Sequence, residues 1–329
     1  MTIAWLRGRL WIGLALGMAV VVVIGILADL PRLLHTLAGF ELALLPAILG
    51  LTLVNYALRF GKWEFFLRVL SFPRQPLTQS CLIFFSGLSM VVTPGKIGEW
   101  LKSFLLRQAI GVPVSASAPI IIAERLSDGL AMAVLASGGL VLYGYGWQAL
   151  AVFVIGGLSI VAISQYRPLG NWVLATAARL PFVGKRVQQV EVFYASAKAC
   201  LHWRPLGTAI AIGIVSWSAE GVAFYLVLLA LGEPPSATLL FQAVFILAAS
   251  TIVGAVSMLP GGLAVAEGSI AGLLLVLHAT NDPAIAAAAT IIIRFATLWF
   301  GVTLGIIALS VLSRRLDIRA VEVSGQDAV

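Results

Sequence analysis

The chain has 329 residues, 60% of them hydrophobic and only 11% charged, against about 45–50% and about 25% in soluble domains. No soluble fold buries that much apolar surface, so most of this chain is solvated by lipid. Its formal charge of +7 reads as the basic bias of cytoplasmic loops, which excludes a nucleic-acid footprint as the explanation.

In chain order, residues 1–42 are expected to form an N-terminal helix and an external loop. The apolar run 10–27 follows Arg7 and Arg9. It is long and has no convincing small-x-small cleavage site after it, so it reads as a retained helix and not as a signal peptide. Residues 43–142 form a first unit, with spans near 43–61 and 114–142 flanking an apolar stretch, 77–108, that is broken in mid-course. Residues 143–205 add a span near 147–164 and a polar connection interrupted at Pro168, Pro181 and Pro205. Within that connection Val187, Val190, Tyr194 and Leu201 recur at helical spacing, as do Leu169, Trp172, Val173 and Leu180 before them. A pair of interfacial amphipathic helices is therefore expected, with a plain linker as the alternative. A second unit, 206–312, repeats the first: spans near 206–231 and 284–312 flank a broken stretch, 236–278. Residues 313–329 form a tail.

The two breaks are Thr93-Pro94-Gly95-Lys96-Ile97-Gly98-Glu99 and Leu259-Pro260-Gly261-Gly262-Leu263-Ala264-Val265-Ala266-Glu267. Pro lacks a backbone donor and Gly disfavours helix, so each stretch is expected to be two half-helices meeting at an irregular turn. The alternative is an ordinary spanning helix with a Pro-Gly kink. Basic residues gather at the N-terminus, after the second span (Arg59, Lys62, Arg68, Arg74), around Lys102 and Arg107, through 165–205, and at Arg314, Arg315 and Arg319. The turns near Gly144, Glu233 and Asp282 carry none, which places both termini in the cytoplasm. The fold class that follows is an all-α polytopic membrane protein of about six spanning helices plus two re-entrant hairpins. The first hairpin dips in from the cytoplasm and the second from outside, so the two units are inverted in topology. Inverted repeats with discontinuous helices recur in secondary transporters, whose site lies where the breaks meet.

A charge at the centre of a membrane helix costs at least about 2.5–3.5 kcal/mol, so each needs a partner or a wet cavity. Glu99 precedes Arg125 by 26 positions and Glu267 precedes Arg294 by 27, and each Glu is expected to pair with its Arg. Thr93 and Pro94 suit the start of a half-helix whose free N–H groups favour an anion. Lys96, Glu99 and Lys102 on one side, Glu124, Arg125 and Asp128 on the facing span, and Arg59 with Lys62 at the same mouth form a candidate cleft rich in cations. The same charges would serve equally well to bolt the helices together. Glu220, a lone carboxylate in an apolar span, is the candidate coupling group. Gly95, Gly261 and Gly262 are the turn positions at which a ligand could approach backbone. No catalytic residue, cofactor or metal ligand is expected, since Walker, dinucleotide, nucleophile-elbow and zinc patterns are all missing.

The paired motifs, 93–102 with Glu124-Arg125-Leu126-Ser127-Asp128 and 259–268 with Arg294, resemble the lysylphosphatidylglycerol synthase transmembrane family, also called the flippase-like domain, over about residues 43–312. In two-domain members of that family the membrane part translocates aminoacylated phosphatidylglycerol, made by a cytosolic acetyltransferase-like domain. This chain ends about fifteen residues after its last span, so the resemblance implies the translocation half alone. Stand-alone relatives are associated with several lipids, hopanoids and polyprenyl-phosphate-linked sugars among them. The second motif departs from the family pattern at Ala264, where glycine is expected. The resemblance implies a bacterial inner-membrane lipid flippase for an amphiphile with an anionic or polar headgroup, with lipid-synthesis enzymes and a second copy of the chain as candidate partners. An intramembrane enzyme using Glu99, Glu124 and Asp128 on a lipid headgroup, or a non-transporting scaffold of a lipid-synthesis complex, are the alternatives.

Overall fold

The computed structural model describes residues 29–92, 100–143, 147–166, 168 and 187–315. The expected first helix, the first Pro-Gly break with Thr93, Gly95, Lys96 and Glu99, and the first half of the polar connection lie outside them. The described residues are helical throughout, without strands. Four of their segments are long and apolar enough to cross a membrane: Leu42–Val69, Trp203–Ala230, Ala237–Val256 and Pro283–Arg315. With the shorter apolar helices beside them, these make the chain a multi-pass membrane protein.

The first described helix, α1 (Leu30–Ala38), falls where a loop was expected. Pro31 fits its first turn, and Leu30, Leu33, Leu34 and Leu37 share a face. Leu33 is buried against Ala287 and Ala288, while Arg32 stays exposed beside Asp29. Next come α2 (Leu45–Val69), α3 (Leu77–Leu88), α4 (Leu101–Ile110), α5 (Val114–Tyr143) and α6 (Trp147–Gln165). At 1.5 Å per residue, α5 runs about 45 Å, whereas α3 and α4 reach only about 18 and 15 Å and cannot cross alone. The second half of the polar connection is α7 (Val187–Cys200). It packs on α5 and α6 and buries Ser196 and Cys200, so it belongs to the body of the protein and is no plain linker.

The second unit comprises α8 (Trp203–Ala230), α9 (Ala237–Val256), α10 (Val265–Val276), α11 (Pro283–Arg294) and α12 (Phe300–Arg315). The break between α9 and α10 occurs at Pro260–Gly262, where a single 3-10 turn replaces helix. The expectation of two half-helices is corrected here: α10 is short, but α9 has 20 residues and spans about 30 Å by itself. Nothing between Ser236, whose hydroxyl caps the helix at Leu239 N, and Pro260 interrupts α9 strongly enough to stop it earlier. A π turn, Phe295–Trp299, joins α11 to α12 without breaking the helical path.

Helix α2 packs along α8, α3 lies against α12, and α9 lies against α5. Helix α4 packs on α5, and α10 packs on α11. Small residues let these backbones approach, as expected where lipid supplies no hydrophobic drive between helices. At Gly305 of α12 an added Cβ would come within 2.8 Å of the Phe85 carbonyl oxygen and would strike the Ser89 amide, so α3 and α12 meet backbone to backbone. Two apolar cores result. One centres on Phe224, Leu228, Ile246 and Ile270, the other on Trp63, Phe66, Ile83 and Leu106.

The break itself is held in a left-handed conformation at consecutive glycines, Gly261 (φ 59) and Gly262 (φ 67). Gly262 also lies against Gly254 of α9, where a Cβ would sit 3.1 Å from the Gly254 Cα. Two residues later Ala264 takes φ 69, ψ −47, a region strained for any residue with a Cβ and costing about 1–3 kcal/mol. The position at which the resemblance leads glycine to be expected is therefore one that the backbone wants as glycine. Ala264→Gly should raise stability by roughly 1 kcal/mol after the greater unfolded-state entropy of glycine is deducted. A thermal melt in detergent checks it, and a lowered midpoint would refute the strain argument.

Candidate functional site

A cavity of about 160 Å³ opens among α2, α5, α8, α9 and the α9–α10 break, and it is walled on its last side by Arg294 and the π turn. Its geometry starts from one polar bolt. Asn55 of α2 donates from Nδ2 to the Ser216 carbonyl oxygen (2.9 Å) and to Ser216 Oγ (3.1 Å) on α8. The next residues on each helix, Tyr56 and Trp217, and those one turn further, Arg59 and Glu220, then face one another across the cavity. The Arg59 guanidinium lies 5.7 Å from the centre of the Trp217 ring, a cation–π contact. Glu220, beyond the middle of α8, is 4% exposed and lines the cavity.

On the α5 side a single carboxylate, Asp128, draws three cations together. Lys62 donates to its Oδ1, while Arg59 Nε and Arg125 Nη2 approach its Oδ2 at 3.9 and 4.0 Å. Lys62 is 1% exposed and also reaches Ser127 Oγ at 3.3 Å. One turn earlier, Glu124 accepts from Lys102, whose ammonium sits 4.7 Å over the Trp63 ring. Arg125 is the open member of the group, with 41% of its side chain exposed.

The opposite wall is built by Arg294. Its Nε donates to Glu267 Oε1 at 2.6 Å, and its Nη2 donates to the Gly261 carbonyl oxygen at 2.7 Å. One guanidinium thus ties the end of α11 both to α10 and to the break. Only a planar fork with separate donors makes both bonds at once. The π turn follows immediately, and the Tyr56 hydroxyl donates to the Thr297 carbonyl oxygen inside it. A π turn rotates the helix face by inserting one residue, a device frequent at functional sites. Here it places Thr297, Leu298 and Gly301 on the cavity wall together with Arg294.

Of the residues singled out in the sequence, the structure brings Arg59, Arg125, Gly261, Gly262, Arg294 and Glu220 to one cavity. The expected pair of Glu267 with Arg294 is formed. Lys62 and Lys102 do not line the cleft that was expected to hold them. Each is buried against a carboxylate, Asp128 or Glu124 respectively, and this corrects their assignment as cleft cations. Glu124 and Asp128 serve chiefly as the counter-charges of those lysines. The expected pair of Glu99 with Arg125 lies outside the described residues, as do Thr93, Gly95 and Lys96. Sequence reasoning missed Tyr56, Trp217 and Thr297. The first two carry a signal, because each stands three residues before a charged residue on an apolar helix. Thr297 carries none, because no residue pattern marks the π turn.

Among the described residues, the charges in and immediately behind the cavity wall are Arg59, Lys62, Arg125 and Arg294 against Asp128, Glu220 and Glu267. Three guanidiniums at one cavity suit the oxygens of a phosphate ester.

Residues 10–305 match the family described as Lysylphosphatidylglycerol synthase TM region, a stretch that contains both Pro-Gly breaks and Arg294. Two proteins of Methanothermobacter thermautotrophicus, each described as a UPF0104 membrane protein, are similar to this chain. One is 26% identical over 238 residues, 64% of this chain and 68% of the relative. The other is 26% identical over 332 aligned positions, covering 89% of this chain and 90% of the relative.

Proposed function

This chain belongs to the lysylphosphatidylglycerol synthase TM region family, and from that premise and the cavity we propose that it is a lipid flippase. It moves an amphiphile with a phosphate-bearing headgroup between leaflets of a bacterial inner membrane, the headgroup passing through the cavity while the tails stay in lipid. The observation that carries this reading is the convergence of Arg59, Arg125 and Arg294 on one cavity.

The packing supports an inverted-topology repeat. Exchanging α2 with α8, α3 with α9, α4 with α10 and α5 with the α11–α12 pair turns some of the contacts into others: α3 on α12 becomes α9 on α5, and α4 on α5 becomes α10 on α11. On this reading both termini are cytoplasmic, the hairpin around the first break enters from the cytoplasm, and α9 runs the depth of the membrane from outside before the second break turns the chain back as α10. The cavity then lies where the two units meet, the usual place for a transporter site. The enzyme alternative relied on Glu99, Glu124 and Asp128, and the two of these within the described residues, Glu124 and Asp128, are committed to buried lysines, which favours transport over catalysis. Lipid-synthesis enzymes would then be suppliers of substrate.

The test is reconstitution into phosphatidylglycerol vesicles carrying a trace of fluorescently labelled lipid, with the outer leaflet quenched chemically. Protein-containing vesicles should expose the inner-leaflet label far faster than empty ones. Arg59→Ala should slow this by about tenfold or more, the usual scale for losing one charge-assisted contact. Wild-type rates equal to those of empty vesicles, across anionic and polyprenyl-phosphate lipids, would overturn the reading and leave the scaffold.

A further inference from the structure

Among the described residues, three carboxylates stand in or behind the cavity wall, and two of them are spoken for. Asp128 holds Lys62, Arg59 and Arg125, and Glu267 holds Arg294. Glu220 is buried to the same degree, at 4% exposed, and lines the cavity. Among the described residues it forms no hydrogen bond or ion pair, yet Arg59, Arg294 and Asp128 all lie within electrostatic reach of it. Among the described residues, the groups that face it are Tyr56 and Arg59 from α2, Arg125 from α5 and Arg294 from α11, with Asp128 behind them, while α9 and α10 contribute no ionisable side chain to the cavity.

We propose that Glu220 is a proton-exchanging group that couples anion binding to pH, so that an anionic headgroup and a proton occupy the cavity together. The inference rests on the flippase reading and supplies its energy source. Its basis is geometric. Protonating Asp128 or Glu267 would break an ion pair inside apolar surroundings, whereas protonating Glu220 breaks none. With Glu220 ionised, its charge offsets Arg59 and Arg294. With Glu220 protonated, Asp128 alone is left to balance both Lys62 and Arg59, a shortfall of negative charge for which a phosphate diester is the natural counter-ion. Proton and anion therefore bind with positive coupling, and coupling is reciprocal: each ligand raises the affinity for the other by the same factor. A proton gradient directed inward then favours loading of the cavity from the acidic side and unloading on the other.

The test uses the full-length protein in detergent with dihexanoylphosphatidylglycerol as the probe, because its single phosphodiester charge is constant between pH 5 and pH 8.5. Calorimetric titration in buffers of different ionisation heat reads both affinity and protons taken up. The wild-type protein should bind about tenfold or more tightly at the acidic end, the ceiling for one linked proton being about tenfold per pH unit, and should take up protons on binding. Glu220→Gln, which fixes the neutral form, should bind tightly at both ends and take up none. Binding that is independent of pH in the wild-type protein, or pH dependence that survives in Glu220→Gln, would overturn the coupling while leaving the cavity as the anion site. Affinity that depends on sodium with no proton uptake would overturn it as well. Absence of binding at every pH in both proteins would remove the flippase reading together with the inference.

Discussion

Asp128→Ala should be the most destabilising single substitution in the polar interior, at about 3–5 kcal/mol, because it strips the counter-charge from an ammonium that has no route to water. Lys62 is 1% exposed, and its remaining contact is Ser127 Oγ at 3.3 Å, a neutral partner that cannot balance a charge. Arg59 and Arg125 lose the same carboxylate but suffer less, since both line the cavity and can be hydrated there. Loss of a monodisperse peak in size-exclusion chromatography, or a large fall in the detergent melting midpoint, is the expected result. Adding Lys62→Met to the same protein should recover most of the loss, because replacing both halves of a buried pair by apolar groups is often close to neutral. Transport should not recover with it, since Arg59 has then lost the carboxylate that positions it on the cavity wall. Should the double variant stay as unstable as the single one, the damage would come from Arg59 and Arg125, and the buried lysine would not be the source of the penalty.

What could be read from residues alone divides along a physical line. The demand that a charge in an apolar run find a partner is strong, and it located Glu267 and Arg294 as a pair across 27 positions. Depth is a different matter. Arg59 and Lys62 are one turn apart and share a helix face, yet Arg59 opens on the cavity while Lys62 points into the α2–α5 contact. Spacing fixes a face but says nothing of which neighbour covers it. Lys102 was misplaced for the same reason, since its stem lies under Gly87 and its head over Trp63, contacts set by tertiary packing. The Pro-Gly signal located the second break correctly but was silent on the lengths of its arms, which depend on where α9 begins. The helix α1 escaped notice because it is too short to raise a spanning signal. Ala264 shows the opposite case, in which a departure from a family pattern pointed at a backbone position that the structure confirms to be left-handed.

The second large effect is expected at Arg294, and it separates charge from geometry. Arg294→Lys keeps the positive charge on the cavity wall, so if the site needed only a point cation, transport would persist. An ammonium on a shorter stem cannot reach Glu267 Oε1 and the Gly261 carbonyl oxygen together, so the break loses one of its ties to α11. Burying an unsatisfied carbonyl or carboxylate costs roughly 1–3 kcal/mol, and Glu267 already has one oxygen, Oε2, buried without a hydrogen-bond partner. Arg294→Lys should therefore fold, melt moderately lower, and translocate labelled lipid at least about tenfold more slowly than wild type. Arg294→Ala should lose both the charge and the clamp, and should show about a hundredfold loss at a protein concentration matched for inserted material. Glu267→Gln discriminates further, because it preserves an acceptor for Nε and removes only the negative charge. If the clamp is what matters, Glu267→Gln stays close to wild type in rate while Arg294→Lys does not. If the balance of charge around Glu220 is what matters, Glu267→Gln should instead tighten anion binding at every pH, since one more uncompensated cation then favours the ligand at every protonation state of Glu220. Equal, near-wild-type rates in Arg294→Lys and Glu267→Gln would show that Arg294 neither shapes the break nor tunes the cavity, and would move the working cations to Arg59 and Arg125 alone.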